Sequence, residues 1–184
     1  MEVGVGSGKF AGPLGIRIGV EPSIKMADRA RDIGIDVISG VIENLPISNS
    51  CFDFVLMVIT ICFVDDIIKS FQEAFRVIKN DRFIVVGFVD KNSELGKEYS
   101  LKRNKSKFYQ SANFFSTEEV LTYLRDVGFI YFEIKQTLFP GLNTQYVGNG
   151  YGKGAFVVIK GLKSGQGITA LKMSGFSIES QSSR

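Results

Sequence analysis

Short runs of β-branched and aromatic residues alternate with stretches of helical periodicity through most of the chain. Strands are expected at 2–5, 16–21, 36–40, 52–59 and 82–89, with two later ones at 129–139 and 155–162. Between them, 23–34 reads as a helix with Ser23 at its N-cap and Gly34 as its stop. Over 65–79, Ile67, Ile68, Phe71, Phe75 and Ile78 form one apolar stripe, with Asp65 or Asp66 as cap. Over 116–128, Ser116 and Glu119 make a capping box and Gly128 ends the helix.

Strand–helix alternation predicts an α/β fold with a mostly parallel sheet covered on both faces. The last two strands break the pattern, because only the Gly-rich stretch 140–154 separates them. They are expected to pair antiparallel at the sheet edge. One domain is expected over 1–163, followed by a mobile Ser/Gly-rich tail at 164–184.

Composition narrows the chemistry. A chain of 184 residues with 45% hydrophobic and 22% charged residues suits one domain with a sizeable core. A net charge of +3 is too small to argue for nucleic acid. There are two cysteines and no histidine, so the usual metal clusters and His-based catalytic constellations are not expected. No signal peptide is recognisable, and the longest apolar run, 54–64, is too short to span a membrane. These features predict a cytoplasmic protein without a membrane partner.

Gly4, Gly6 and Gly8 form G-x-G-x-G directly after the first strand. Such a turn either lets a ligand approach the backbone or serves only strand–helix geometry. Three features favour a ligand. Glu21 ends the second strand, where a carboxylate accepts hydrogen bonds from ribose hydroxyls. Ile42, Glu43 and Asn44 follow the third strand, and Ile59 and Thr60 end the fourth at the same sheet edge.

The ordered series "EVGVGSG", "GVEPS", "ENLPISNSCFDFVLM" and "FQEAFRVIKNDRFIVVGFVD" resembles class I S-adenosylmethionine-dependent methyltransferases. It is most similar to the small-molecule branch of ubiquinone/menaquinone-biosynthesis-like enzymes (methyltransferase type 11), over residues 1 to about 160. The resemblance implies a three-layer Rossmann-like sheet of order 3-2-1-4-5-7-6 with an antiparallel seventh strand. It implies S-adenosylmethionine as cofactor and S-adenosylhomocysteine as product. Gly4, Gly6 and Gly8 would pass under the methionine half, and Glu2 would orient its amino group, directly or through water. Glu21 would take the ribose hydroxyls, with Pro22 and Met26 against the adenosine. Ile42 and Glu43 would flank the adenine, and Ile59 and Thr60 the approach to the sulfonium. An NAD-type Rossmann turn expects G-x-G-x-x-G instead.

Departures from the family pattern are Val41, where a polar residue is common, and "KNDR" at 79–82 in place of a Lys-Pro-Gly-Gly turn. The helices that precede the first strand in related enzymes have no counterpart here. That keeps open a second reading, a non-catalytic module acting through binding or oligomerisation. An exposed cofactor cleft would also favour covering by a second copy, as in a homodimer.

Methyl transfer from a sulfonium is an in-line displacement needing alignment and exclusion of water, so no catalytic residue is assigned. The expected acceptor is a small molecule. No Asn/Asp-Pro-Pro-aromatic element follows the fourth strand and no Pro-Cys pair is present, which disfavours methylation of nucleic-acid bases. The basic-aromatic segment 91–115 is expected to be a lid over substrate, a solvated amphipathic helix, or a single-strand nucleic-acid contact. Cys62, Tyr99, Phe108, Tyr109, Tyr146 and Tyr151 are the candidate acceptor-side residues.

Overall fold

A computed structural model describes residues 1–102, 110–142 and 145–165. Its strands are β1 (Glu2–Val3), β2 (Ile18–Glu21), β3 (Asp36–Ser39), β4 (Phe52–Val58), β5 (Ile78–Val89), β6 (Phe129–Thr137), β7 (Gly148–Asn149) and β8 (Phe156–Lys163). Its helices are α1 (Ile24–Asp32), α2 (Ile67–Val77), α3 (Glu94–Leu101) and α4 (Thr117–Val127). The expected tail beyond residue 165, and Phe108 and Tyr109, lie outside the described residues.

The strands form one sheet of order β3-β2-β1-β4-β5-β8-β6-β7. β1 to β5 run parallel, and β8 enters antiparallel between β5 and β6. Removing β7 leaves the expected order of seven. β7 is a two-residue edge strand that the loop 140–154 contributes by pairing with Lys135 and Gln136, and its glycines carry no strand signal.

Helix ends follow local chemistry. Asp66 accepts from Lys69 N at 2.9 Å, and the Ser116/Glu119 capping box is complete, with Gly128 left-handed at φ 117°. Ser23 occupies the N-cap of α1 but makes no side-chain cap bond. Helix α2 ends two residues earlier than its stripe suggested, and Ile78 opens β5 instead. The expected turn at 79–82 survives as a bulge inside β5. Asp81 takes φ 58°, and the register jumps from Phe52↔Ile78 to Phe54↔Phe83.

The main core lies between the sheet and α2 with α4, around Phe71, Met57, Ile84, Leu124, Phe129 and Ile159. A smaller cluster of Val5, Ala11, Ile16, Ala30, Ile35 and Leu56 packs beneath α1 on the opposite face. Lys163 ties β8 to the end of α2. Its ammonium donates to Phe75 O at 2.7 Å and Ile78 O at 2.6 Å and sits 4.6 Å over the Phe75 ring. No helix among the described residues is long and apolar enough to cross a membrane.

Candidate functional site

The carboxyl ends of β1, β2 and β4 open into a crevice of about 750 Å³, large enough for a nucleotide-sized ligand. Its floor is the glycine turn. Gly4 has φ +67°, and a Cβ there would lie 2.5 Å from Thr60 Cγ2. Thr60 is held against this turn by donating Oγ1 to Val3 O at 2.9 Å. A side chain at Gly4 would therefore displace the link between β1 and β4.

Glu21 is fixed at the wall. It is 8% exposed, and its two oxygens accept from Gly6 N at 2.9 Å and Ser23 N at 3.0 Å. Each oxygen keeps a second lone pair. A carboxylate pinned this way is pre-set to receive two hydroxyl donors without reorganising.

The opposite wall follows β3. Ile42 is 3% exposed, and Glu43 accepts from Asp65 N at 2.8 Å, joining this wall to the segment after β4. The loop is anchored on α2 by Glu73 and Arg76. Glu73 accepts from Leu45 N at 2.8 Å, and Arg76 donates to Leu45 O, Ile47 O and Asn49 Oδ1 at 2.7–3.0 Å. The two residues also pair with each other at 2.7 Å, which holds the Glu73 carboxyl below its ordinary range.

Of the residues expected to form the cofactor seat, Gly4, Gly6, Glu21, Pro22 and Met26 line this crevice. So do Ile42, Glu43, Ile59 and Thr60. Gly8 does not. It is buried at φ +78°, and a Cβ there would meet Ile33 and Ile35 at 2.6 Å, so its place is in the packing of the turn onto α1 and β3.

Glu2 also stands outside the lining, on the face of β1 opposite Val3. It is 1% exposed, and among the described residues its oxygens are the buried side-chain polar atoms without a hydrogen-bond partner. Burial pushes its carboxyl up to about 7, and the Ala11 backbone amide and the Met1 ammonium offset only part of that. A buried carboxylate without a well-formed partner, two residues before the first glycine of the turn, is suited to a cationic group.

A second, mainly apolar cavity of about 280 Å³ adjoins the crevice, and Ile59 and Phe63 line both. It sits over the ends of β4 and β5, with Cys62 and Tyr99 in its wall. Burial raises the Cys62 thiol to about 11, and it donates to Ile59 O at 2.8 Å. Ile59 has φ 61°, a strained conformation for a β-branched residue, held by its N–H donating to Gly87 O at 2.7 Å.

Tyr146 and Tyr151 line neither hollow, a correction to their expected place at the rim. Tyr146 packs edge-on against Phe139, and its carbonyl accepts from Thr137 Oγ1. The 3₁₀ turn and loop after β4 supply lining that was missed in the sequence, Phe63 and Asp65, and within the segment expected as a possible lid Ser111 also reaches the crevice. Phe156 was missed because β8 is antiparallel, so its first residue rather than its last reaches the functional edge.

Three comparisons bear on this geometry. A model of the methyltransferase domain family matches residues 1–86. A crystal structure of an S-adenosylmethionine-dependent methyltransferase from Thermotoga maritima, described as a possible histamine N-methyltransferase, is 50% identical. The alignment covers 89% of this chain and 80% of that one with a TM-score of 0.86. An uncharacterised Methanocaldococcus jannaschii protein is 42% identical over 166 residues, covering 89% of this chain and 81% of its own length. An S-adenosylmethionine-dependent methyltransferase from Mesorhizobium loti, at 14% identity, shares the fold with a TM-score of 0.66 over 87% of this chain and 88% of that one.

Proposed function

The chain belongs to the S-adenosylmethionine-dependent methyltransferases, and on that premise we propose that it methylates a small-molecule acceptor held in the apolar cavity beside its cofactor crevice. The observation that carries this reading is the pinned Glu21 carboxylate, which fits a ribose diol in a crevice of the right size. Residues 1–163 serve as the catalytic domain.

S-Adenosylmethionine supplies an activated methyl on a sulfonium. The chain's own residues bind, orient and exclude water. Glu21 accepts from the ribose hydroxyls, Pro22 and Met26 pack on the adenosine, and Ile42 and Glu43 flank the adenine. The turn at Gly4 and Gly6 keeps side chains away from the methionine half, with Gly8 holding the turn from behind. The Glu2 carboxylate attracts the amino group, through water or a small shift of the turn. Ile59 and Thr60 stand where the crevice meets the acceptor cavity, so the acceptor is held in line and out of water.

The apolar lining supports a small acceptor, as does the description of the Thermotoga maritima relative. A binding module without chemistry is not favoured, since the crevice keeps its polar wall intact.

Calorimetric titration with S-adenosylhomocysteine tests the seat. Binding in the micromolar range is expected. Glu21→Gln should weaken it roughly 10- to 100-fold, the loss of one or two charge-assisted hydrogen bonds. No heat at millimolar ligand would refute the reading.

A further inference from the structure

We infer that the acceptor is an uncharged aromatic molecule of at most about two fused rings, methylated on a nitrogen whose lone pair is free at neutral pH. This rests on the methyl-transfer reading above and narrows it to a substrate class.

Size comes first. The cavity holds about 280 Å³, close to twice the roughly 150 Å³ that accommodates benzene. Aromatic side chains dominate its wall, namely Phe63, Phe88, Tyr99, Phe114, Phe115 and Phe156. Flat rings stack or meet edge-on in such a lining.

Charge comes next. Among the described residues, no lining side chain carries a formal charge. Bringing an ammonium or carboxylate into it would cost several kcal/mol of desolvation with no oppositely charged side chain among the lining residues to offset it.

The nature of the nucleophile follows from the absence of a base. An oxygen acceptor must give up a proton to become reactive. The chain has no histidine. The polar side chains in the wall are Cys62, Tyr99 and Asn113. The Asn113 amide is not a base, and the Cys62 thiol already donates to Ile59 O.

Of the carboxylates near the cavity, Asp90 and Glu119 are engaged elsewhere and Asp65 lines neighbouring hollows. Asp90 accepts from Asn92 N at 2.7 Å and from the backbone and hydroxyl of Thr117. Glu119 pairs with Lys91 at 2.8 Å and closes the capping box. Asp65 lines the cofactor crevice and a neighbouring hollow, not this cavity.

A neutral nitrogen needs no base. Its lone pair forms the N–C bond as the C–S bond breaks, and the electron pair of that bond leaves with sulfur. The sulfur ends as a neutral thioether and the positive charge passes to nitrogen. Where that nitrogen carried a proton, the proton goes to water after transfer. The aromatic lining meets the charge that appears on nitrogen, a cation–π contribution absent from the neutral ground state.

The test compares bicyclic probes with radiolabelled S-adenosylmethionine: isoquinoline, 2-naphthol, 2-naphthoate and tryptamine. Isoquinoline should show kcat/KM at least tenfold above the other three. Its pH profile should shift when a less basic bromo derivative replaces it, because the acceptor rather than the enzyme titrates. Isoquinoline should also bind protein loaded with S-adenosylhomocysteine. Ala112→Leu and Leu95→Trp, which fill the cavity, should weaken that binding more than tenfold while leaving S-adenosylhomocysteine binding in place. Preference for 2-naphthol, 2-naphthoate or tryptamine, a profile indifferent to acceptor basicity, or no isoquinoline binding to loaded protein would each overturn the inference. Failure to bind S-adenosylhomocysteine at all would overturn the underlying reading instead.

Discussion

Replacing Glu2 with Gln should stabilise the ligand-free protein at pH 8 and leave it nearly unchanged at pH 4.5. The Glu2 carboxyl is 1% exposed, is approached by the Ala11 backbone amide without a well-aligned hydrogen bond, and is raised by burial from 4.5 to about 7. A carboxyl whose folded value lies above its unfolded value stays protonated on folding, so the native state binds the extra proton. Stability is therefore unaffected by Glu2 below pH 4.5, falls as pH rises from 4.5 to 7, and is lowest above 7. A shift of that size corresponds to roughly 3 kcal/mol at 1.36 kcal/mol per pH unit. Gln keeps the volume and the unpaired polar group but cannot ionise. Urea unfolding of both proteins without ligand, at pH 4.5, 6 and 8, gives a difference in stability in which the titrating groups not coupled to Glu2 cancel, leaving Glu2 and the Met1 amino group it faces. The difference should grow from near zero to about 3 kcal/mol in favour of Glu2→Gln. A flat difference, or a variant less stable at pH 8, would mean that Glu2 is solvated or paired and would refute the reasoning.

Two further substitutions probe the frame. Arg76→Met should leave the helix α2 intact but release the loop of Ile42 and Glu43, weakening S-adenosylhomocysteine binding roughly tenfold by calorimetry with kcat unchanged, since the lost hydrogen bonds touch only the adenosine wall. Lys163→Met should cost about 2–3 kcal/mol in urea unfolding, because Phe75 O and Ile78 O lose a charged donor in a buried setting.

The polar half of the site was legible in the sequence because it is local. Glu21 lies two residues from the Ser23 amide it accepts from, and the glycines that shape the turn follow β1 directly. The alternation of strand and helix predicted a mostly parallel sheet, and the family resemblance implied its strand order. What stayed hidden depends on distant segments. Gly8 reads as part of the binding turn, yet its contacts are with Ile33 and Ile35. Tyr146 and Tyr151 read as rim residues, but the loop that carries them pairs back on β6 as β7. Phe156 comes to lie beside Val89, at the end of β5, only because β8 runs antiparallel to it.

The two halves of the site are built by different physics, and Ile59 is where they join. Around the crevice, backbone amides hold Glu21 and Glu43 in place, so the polar seat exists before any ligand arrives. Around the cavity, mainly apolar side chains from β5, β8, α3 and the segment 111–115 converge. Ile59, at φ 61°, turns the chain sharply at the end of β4 and places Thr60 against the glycine turn while Cys62 and Phe63 face the cavity. A β-branched residue in that conformation costs of order 1–3 kcal/mol. Gly87 O and the Cys62 thiol hold it there through bonds of 2.7 and 2.8 Å. Backbone strain is thus held at a residue whose position sets how an acceptor in the cavity meets a methyl donor in the crevice.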